Sequence, residues 1–283
     1  MGVKNRLQRF VRLWIDLFNR HQLLDHASSI AFQVLKSLIP LTLLGLAILG
    51  ATGEEHVWRE TIAPAIKPHL QLPMFHAIDY GVEKIFTTNS AGLTILASLL
   101  SLWYISGAVR AVTGGVNQIY ETEEKRRWPV RYAISFGLAG CIALGVIGAL
   151  LTTVALGRVT TGPLEVVAQI GRWILAIVLL AVALGLLVRF APAEHRSKRW
   201  ISAGAVLVIV SWIVATLIFE LFVSDVANFK TATGELAVFL VLIGYVYTSS
   251  IILMVGVELD ELLREDATAG ERGVLHVLFG VGK

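Results

Sequence analysis

The residues with most chemical potential in this sequence sit inside its apolar stretches. Lys36 stands among Leu, Ile, Val and Ala, and is followed by Ser37 and Pro40. If that stretch is helical, Pro40 removes the amide that would bond the Lys36 carbonyl one turn back. A cation, a hydroxyl and a freed carbonyl then gather at one depth. Together they suit an inward-facing polar cavity that receives an anionic group, such as a lipid phosphate or a carboxylate. The plainer alternative is that Lys36 snorkels to the headgroups and Pro40 is a packing kink. Ionisable residues inside membrane spans are costly and often mark pathways. Arg110 and Glu258 are further examples in two other stretches.

Constellations for catalysis are not visible. Glu54, Glu55 and His56 are neighbours, but adjacent ligands without distant partners do not make a metal site. His69 and His76 are too far apart for a zinc-type helical pair. No Gly-rich loop ends in Lys-Ser or Lys-Thr, so nothing suggests an ATP motor. Thr113-Gly114-Gly115 reads as close helix packing. No Ser-His-Asp set can be argued from sequence order. The expectation is a non-enzymatic protein with no metal and no cofactor. The single cysteine, Cys141, lies in mid-stretch and cannot form an internal disulfide.

The elements that must carry these residues are six long apolar runs, at Ser28–Gly50, Ala91–Val112, Arg131–Leu156, Val167–Phe190, Ile201–Val223 and Glu235–Glu258. Each is about 20 residues or more, enough for a helix to cross a ~30 Å hydrocarbon layer. The fold expected is all-α, a polytopic bundle of six transmembrane helices, because lipid leaves backbone groups no partners outside a helix. Composition agrees, with 55% hydrophobic and 16% charged residues and a mean hydropathy of +0.71. The net charge of +3 does not point to nucleic acid, because the basic residues lie mainly between the runs. Sixteen of the 24 Lys and Arg fall in the N-terminal stretch, in the C-terminal tail, and in the loops after the second and fourth runs counted with Arg131 and Arg189 at the adjoining run ends. By the positive-inside rule both termini are cytoplasmic.

This topology divides the chain. Residues 1–27 repeat apolar Leu7, Val11, Trp14 and Phe18 at helical spacing among basic residues. They read as an amphipathic helix on the anionic cytoplasmic leaflet, or packed across the ends of the bundle. Residues 28–258 form the bundle. Within it, the outer loop 51–90 is too long for a connector and is expected to fold back as short helices. Residues 259–283 form a cytoplasmic tail.

Small residues recur every fourth position at Gly107, Ala111 and Gly115 in the second run, and at Gly137, Cys141 and Gly145 in the third. Such faces allow close backbone approach in lipid, so these two helices are expected to pair through them. Trp103 and Trp212 lie deep and read as core packing. Topology also sorts the charges. Arg110 and Glu258 fall near the cytoplasmic edge and form the plausible inner pair. Glu220, Asp225, Lys230 and Glu235 fall together at the outer rim.

Three stretches carry a resemblance. They are Ala31-Phe32-Gln33-Val34-Leu35-Lys36-Ser37-Leu38-Ile39-Pro40, then Ser106-Gly107-Ala108-Val109-Arg110 running to Val116-Asn117-Gln118-Ile119-Tyr120, and finally Gly256-Val257-Glu258-Leu259-Asp260. In order and spacing they resemble the YihY/BrkB family of bacterial inner-membrane proteins over nearly the whole chain. The sequence departs from that pattern at Lys36, where the family usually has an apolar residue. It departs again at Thr231-Ala232-Thr233-Gly234-Glu235, which replaces a Tyr-Gly-Ser type sequence. The resemblance implies a plasma-membrane protein linked to envelope integrity, with lipid handling as its field. Family members have also carried a ribonuclease BN label, which no residue set here supports. Two functions remain open from the residues. One is a transporter or flippase-like component for an anionic amphiphile, with Lys36, Ser37, Pro40, Arg110 and Glu258 at the site. The other is a structural membrane protein that organises lipids or partner proteins.

Overall fold

In a computed structural model the chain is described over residues 3–67, 72–88, 91–157, 163–193, 202–222 and 232–269. Among the described residues every regular element is helical. The helices are α1 (Val3–Arg20), α2 (Leu23–Thr52), α3 (Ala63–Ile66), α4 (Leu72–Thr88), α5 (Ala91–Ile119), α6 (Trp128–Gly157), α7 (Pro163–Phe190), α8 (Ala203–Leu221) and α9 (Ala232–Ala269), with a π-helical turn at Trp58–Ile62 before α3. Four described stretches are long and apolar enough to cross a membrane: Leu23–Thr52, Ala91–Ile119, Ala203–Leu221 and Phe239–Ala269. The chain is therefore a multi-pass membrane protein.

α1 and α2 are separated at Gln22, which adopts a left-handed conformation (φ 49°). At the other end α9 continues past Glu258 to Ala269, so the tail begins as helix.

The centre of the fold is an antiparallel pair, α2 against α5, joined by α9. Leu23, Ala27 and Ile30 of α2 meet Val112, Val116 and Ile119 of α5 and Leu253, Met254 and Val257 of α9. A Cβ on Gly107 would lie 3.1 Å from the Gln33 Oε1, and one on Gly115 would lie 2.7 Å from the Met254 sulfur and 3.2 Å from His26 Cβ. The small face of α5 thus admits α2 and α9, not α6 as expected. The face of α6 with Gly137, Cys141 and Gly145 is likewise turned away: nothing lies within 4 Å of a Cβ on either glycine, and Cys141 is exposed. α6 does pack on α5, through Ala139 and Ala143 on Ile105 and Leu138 on Val109. Ala139 and Ala143 are small residues at the same spacing, two positions along the helix. Trp103 is another reversal, because it is 55% exposed and leans on Phe136 of α6. Trp212 is half-buried and donates its indole N–H to the Ser249 carbonyl at 2.9 Å.

The segment after α2 does fold into short helices. Gly53 ends α2 in a left-handed cap, where its φ of 73° suits a residue without Cβ. Trp58, Phe75, Val82 and Phe86 then pack on Leu46 and Leu49 of α2, and Trp58 donates to Asp79 at 2.8 Å.

At the opposite end of the bundle α8 and α9 cross closely. A Cβ on Gly204 would run into the Gly256 carbonyl oxygen and the Asp260 carboxylate, and one on Gly256 would run into Val208. Only glycine at both positions permits this approach.

Candidate functional site

Lys36 projects from the flank of α2 and is exposed. Its ammonium lies 5.1 Å from the centroid of Phe32, one turn back, and 5.2 Å from that of Tyr104 on α5. The ring faces attract it, but no described carboxylate lies within ion-pair distance. One turn along the same α2–α5 contact, the Gln33 carboxamide and an Arg110 guanidinium nitrogen both lie within 4 Å of the space a Cβ on Gly107 would take. Arg110 donates to the Ser106 hydroxyl at 2.9 Å and stands 4.5 Å from the ring centre of Tyr132 on α6. Arg131 approaches the same ring at 5.9 Å, and its Nε is buried without a hydrogen bond. Tyr132 continues into Phe136 at 6.4 Å, and Phe136 meets Trp103 at 6.1 Å. Three cations and a ladder of rings thus line the flank of α5 between α2 and α6.

A second polar cluster lies at the end of the bundle where α5 finishes. His21 follows α1, and beside the αL residue Gln22 its imidazole is turned inward, 5% exposed. Its Nδ1 lies 2.8 Å from Oε2 of Glu258, which is 2% exposed on α9. Nε2 faces Glu121 at 3.5 Å. Glu121 follows α5 and also has positive φ, 50°. It closes a helix-ending turn in which Thr122 N–H bonds the Asn117 carbonyl and Glu121 N–H the Gln118 carbonyl. Arg20 pairs with Glu121 from outside. A cavity of about 290 Å³ opens here between Arg20, His21, Asn117, Gln118 and Glu121.

Hydrogen bonds extend this cluster to the remaining helices. Asn117 accepts the Ala193 N–H at 2.8 Å and donates to Glu124. Arg126 grips both oxygens of Glu124, at 2.8 and 2.6 Å, and donates to the Ala191 carbonyl. This charged hydrogen bonding from Arg126 holds the Glu124 carboxyl below its ordinary value. Asp260 of α9 accepts the Gly204 N–H at 2.7 Å and pairs with the Ser202 hydroxyl. A carboxylate there satisfies the open amides and the positive end of α8. A larger cavity, about 390 Å³, lies beside it between Tyr120, Arg189, Ser202, Asp260 and Arg264.

The sequence-derived set is therefore split. The inner pair of Arg110 with Glu258 does not form, since Arg110 turns to Tyr132 and Glu258 to His21. Ser37 is buried and spends its hydroxyl on the Val34 carbonyl at 2.7 Å, and Pro40 is buried within a continuous α2. Neither shares the exposed flank with Lys36. Glu220 is exposed on α8, while Asp225, Lys230 and the Glu235 side chain lie outside the described residues. His21 and Glu121 were not singled out from the sequence. The available signal was a histidine, His21, at the junction between the amphipathic stretch and the residues leading into the first apolar run. Among the described residues, no group of three or more His, Cys, Asp or Glu side chains is placed to hold a metal ion.

Long apolar helices that bury a few charges and leave apolar flanks open define the class: an all-helical, multi-pass membrane protein. Virulence factor BrkB is the family whose pattern matches residues 14–276, and the chain belongs to that family, also called YihY/BrkB. Among its relatives, the ribonuclease-like protein YfkH of Bacillus subtilis (strain 168) is 24% identical over 88% of this chain and 94% of its own length. UPF0761 membrane proteins of Halorhodospira halophila and Alkalilimnicola ehrlichii are each 23% identical, over 88% and 91% of this chain. The chain spans only 56% and 58% of those two relatives. No solved structure matches.

Proposed function

We propose that this is a six-span, non-enzymatic protein of the bacterial plasma membrane that binds an anionic amphiphile and serves envelope integrity by holding or translocating it. The observation behind this reading is Lys36, exposed on the flank of a spanning helix with two rings and no described carboxylate. It follows the start of α2 by about 20 Å of helix rise. A lone cation at such depth costs about 3 kcal/mol on insertion scales, and two rings return only part of that. A phosphate or carboxylate headgroup would supply the missing charge, with its chains along exposed Ile39 and Trp103. Arg110 and Arg131 offer further cations toward the end of α5. In this reading α6 and α7, of 30 and 28 residues, complete the six spans, and the basic loops place both termini in the cytoplasm. The name of YfkH speaks of a ribonuclease-like protein; among the described residues no group of His, Cys, Asp or Glu side chains is placed to hold the metal ion such chemistry would use.

The test is titration of the protein, held in discs of zwitterionic lipid, with an alkyl phosphate. Lys36→Leu should weaken binding about tenfold, equal to ~1.4 kcal/mol. Equal binding by both would sink the reading.

The scaffold reading draws support from α1, where Val11 and Ile15 are 47% and 53% exposed beside Arg9 and Arg12. That pattern suits a helix lying in the headgroup layer.

A further inference from the structure

We propose that the His21–Glu258 pair is a proton-binding site, filled from water through Glu121. The inference stands independently of the amphiphile reading. Glu258 is a carboxylate 2% exposed, and its close partner is an imidazole, not a permanent cation. Both members of the pair can therefore change protonation, which an Arg partner would prevent. The imidazole has one nitrogen on Glu258 at 2.8 Å, while the other is buried and without a hydrogen bond, facing Glu121 at 3.5 Å. Glu121 is 56% exposed and lines the cavity of about 290 Å³. A wet carboxylate, an imidazole and a buried carboxylate thus stand in line. Two non-glycine residues at positive φ, Gln22 and Glu121, hold that line in place.

The transfer balances. A proton from water, directly or by way of the Glu121 carboxylate, adds to the lone pair on His21 Nε2. The Nδ1–H bond then breaks and its proton passes to Oε2 of Glu258. The pair ends as a neutral imidazole carrying its hydrogen on Nε2 and a neutral carboxylic acid donating to Nδ1. One proton is taken up and the charge of the pair rises by one. The charged groups facing the pair include Arg20 on α1, Glu123 in the turn after α5, and Glu261 and Glu265 further along α9; on α2, Asp25 and His26 follow the Gln22 turn in sequence.

Infrared difference spectroscopy on the full chain in lipid discs tests this, between about pH 5 and about pH 8. A carboxylic-acid carbonyl band should grow as pH falls, vanish in Glu258→Gln and change frequency in Glu258→Asp. In His21→Asn its midpoint should move by about one pH unit, a tenfold change in proton affinity. In Glu121→Gln the band should appear about tenfold more slowly after a pH jump. A wild-type difference spectrum without any band that responds to Glu258→Gln or Glu258→Asp would make the pair a static ion pair and overturn the proposal.

Discussion

Nδ1 of His21 lies 2.8 Å from Oε2 of Glu258, across a sequence separation of 237 residues. This contact fastens the turn before the first span to the last helix. Removing one member of a buried pair strands the other, at a cost of about 3–5 kcal/mol, whereas replacing both by apolar residues is often close to neutral. His21→Ala should therefore lower the unfolding midpoint in detergent markedly. The double variant His21→Ala with Glu258→Leu should recover much of that loss. Strictly additive losses would show that the two residues do not act as a pair.

The α8–α9 crossing gives a sharper steric expectation. Gly204→Ala or Gly256→Ala must push the helices apart, because the new methyl meets backbone or Val208. A cost of about 1–3 kcal/mol is expected for overpacking. Gly137→Ala and Gly145→Ala place a methyl in open space, and should be neutral or slightly stabilising through helix propensity. Thermal unfolding of the four variants checks the contrast. If Gly145→Ala proved as damaging as Gly204→Ala, the assigned faces would be wrong.

Glu124 supplies the pH dependence. Its carboxyl is held below the ordinary value of 4.5 by Arg126. The folded state therefore binds this proton more weakly than the unfolded state. The stabilisation is complete above the unfolded value and fades as pH falls through the folded one. Arg126→Gln should lower stability near neutral pH and flatten its decline below pH 4.5. The check is a series of unfolding midpoints taken through the acid range. A decline as steep in the variant as in the wild type would remove this pair from the pH response.

The apolar runs made the helices legible, because a span must satisfy its own backbone and shows this as length. Which way each helix faces was not legible. In a soluble helix the polar side marks the outside, but Gly137, Cys141, Leu144 and Gly145 are as tolerable against lipid as inside a bundle. The period of small residues on α6 was therefore real, yet the face that packs is Ala139 and Ala143. Arg110 and Glu258 illustrate the same limit for charges. Residue count gave each a position along its helix, but direction around the axis comes only from packing. His21 escaped notice because it lies outside any span, and its inward aim depends on the αL turn at Gln22, which no glycine or asparagine announces.

The central claim is that cations on the flank of the bundle hold an anionic amphiphile. Mass spectrometry of the lipids retained when the protein is extracted in native membrane discs addresses it most directly, with wild type beside Lys36→Leu/Arg110→Leu. An anionic lipid enriched over the bulk membrane in wild type and lost in the double variant is the result expected. The same bulk lipid profile around both proteins would contradict the claim and leave Lys36 and Arg110 as anchors.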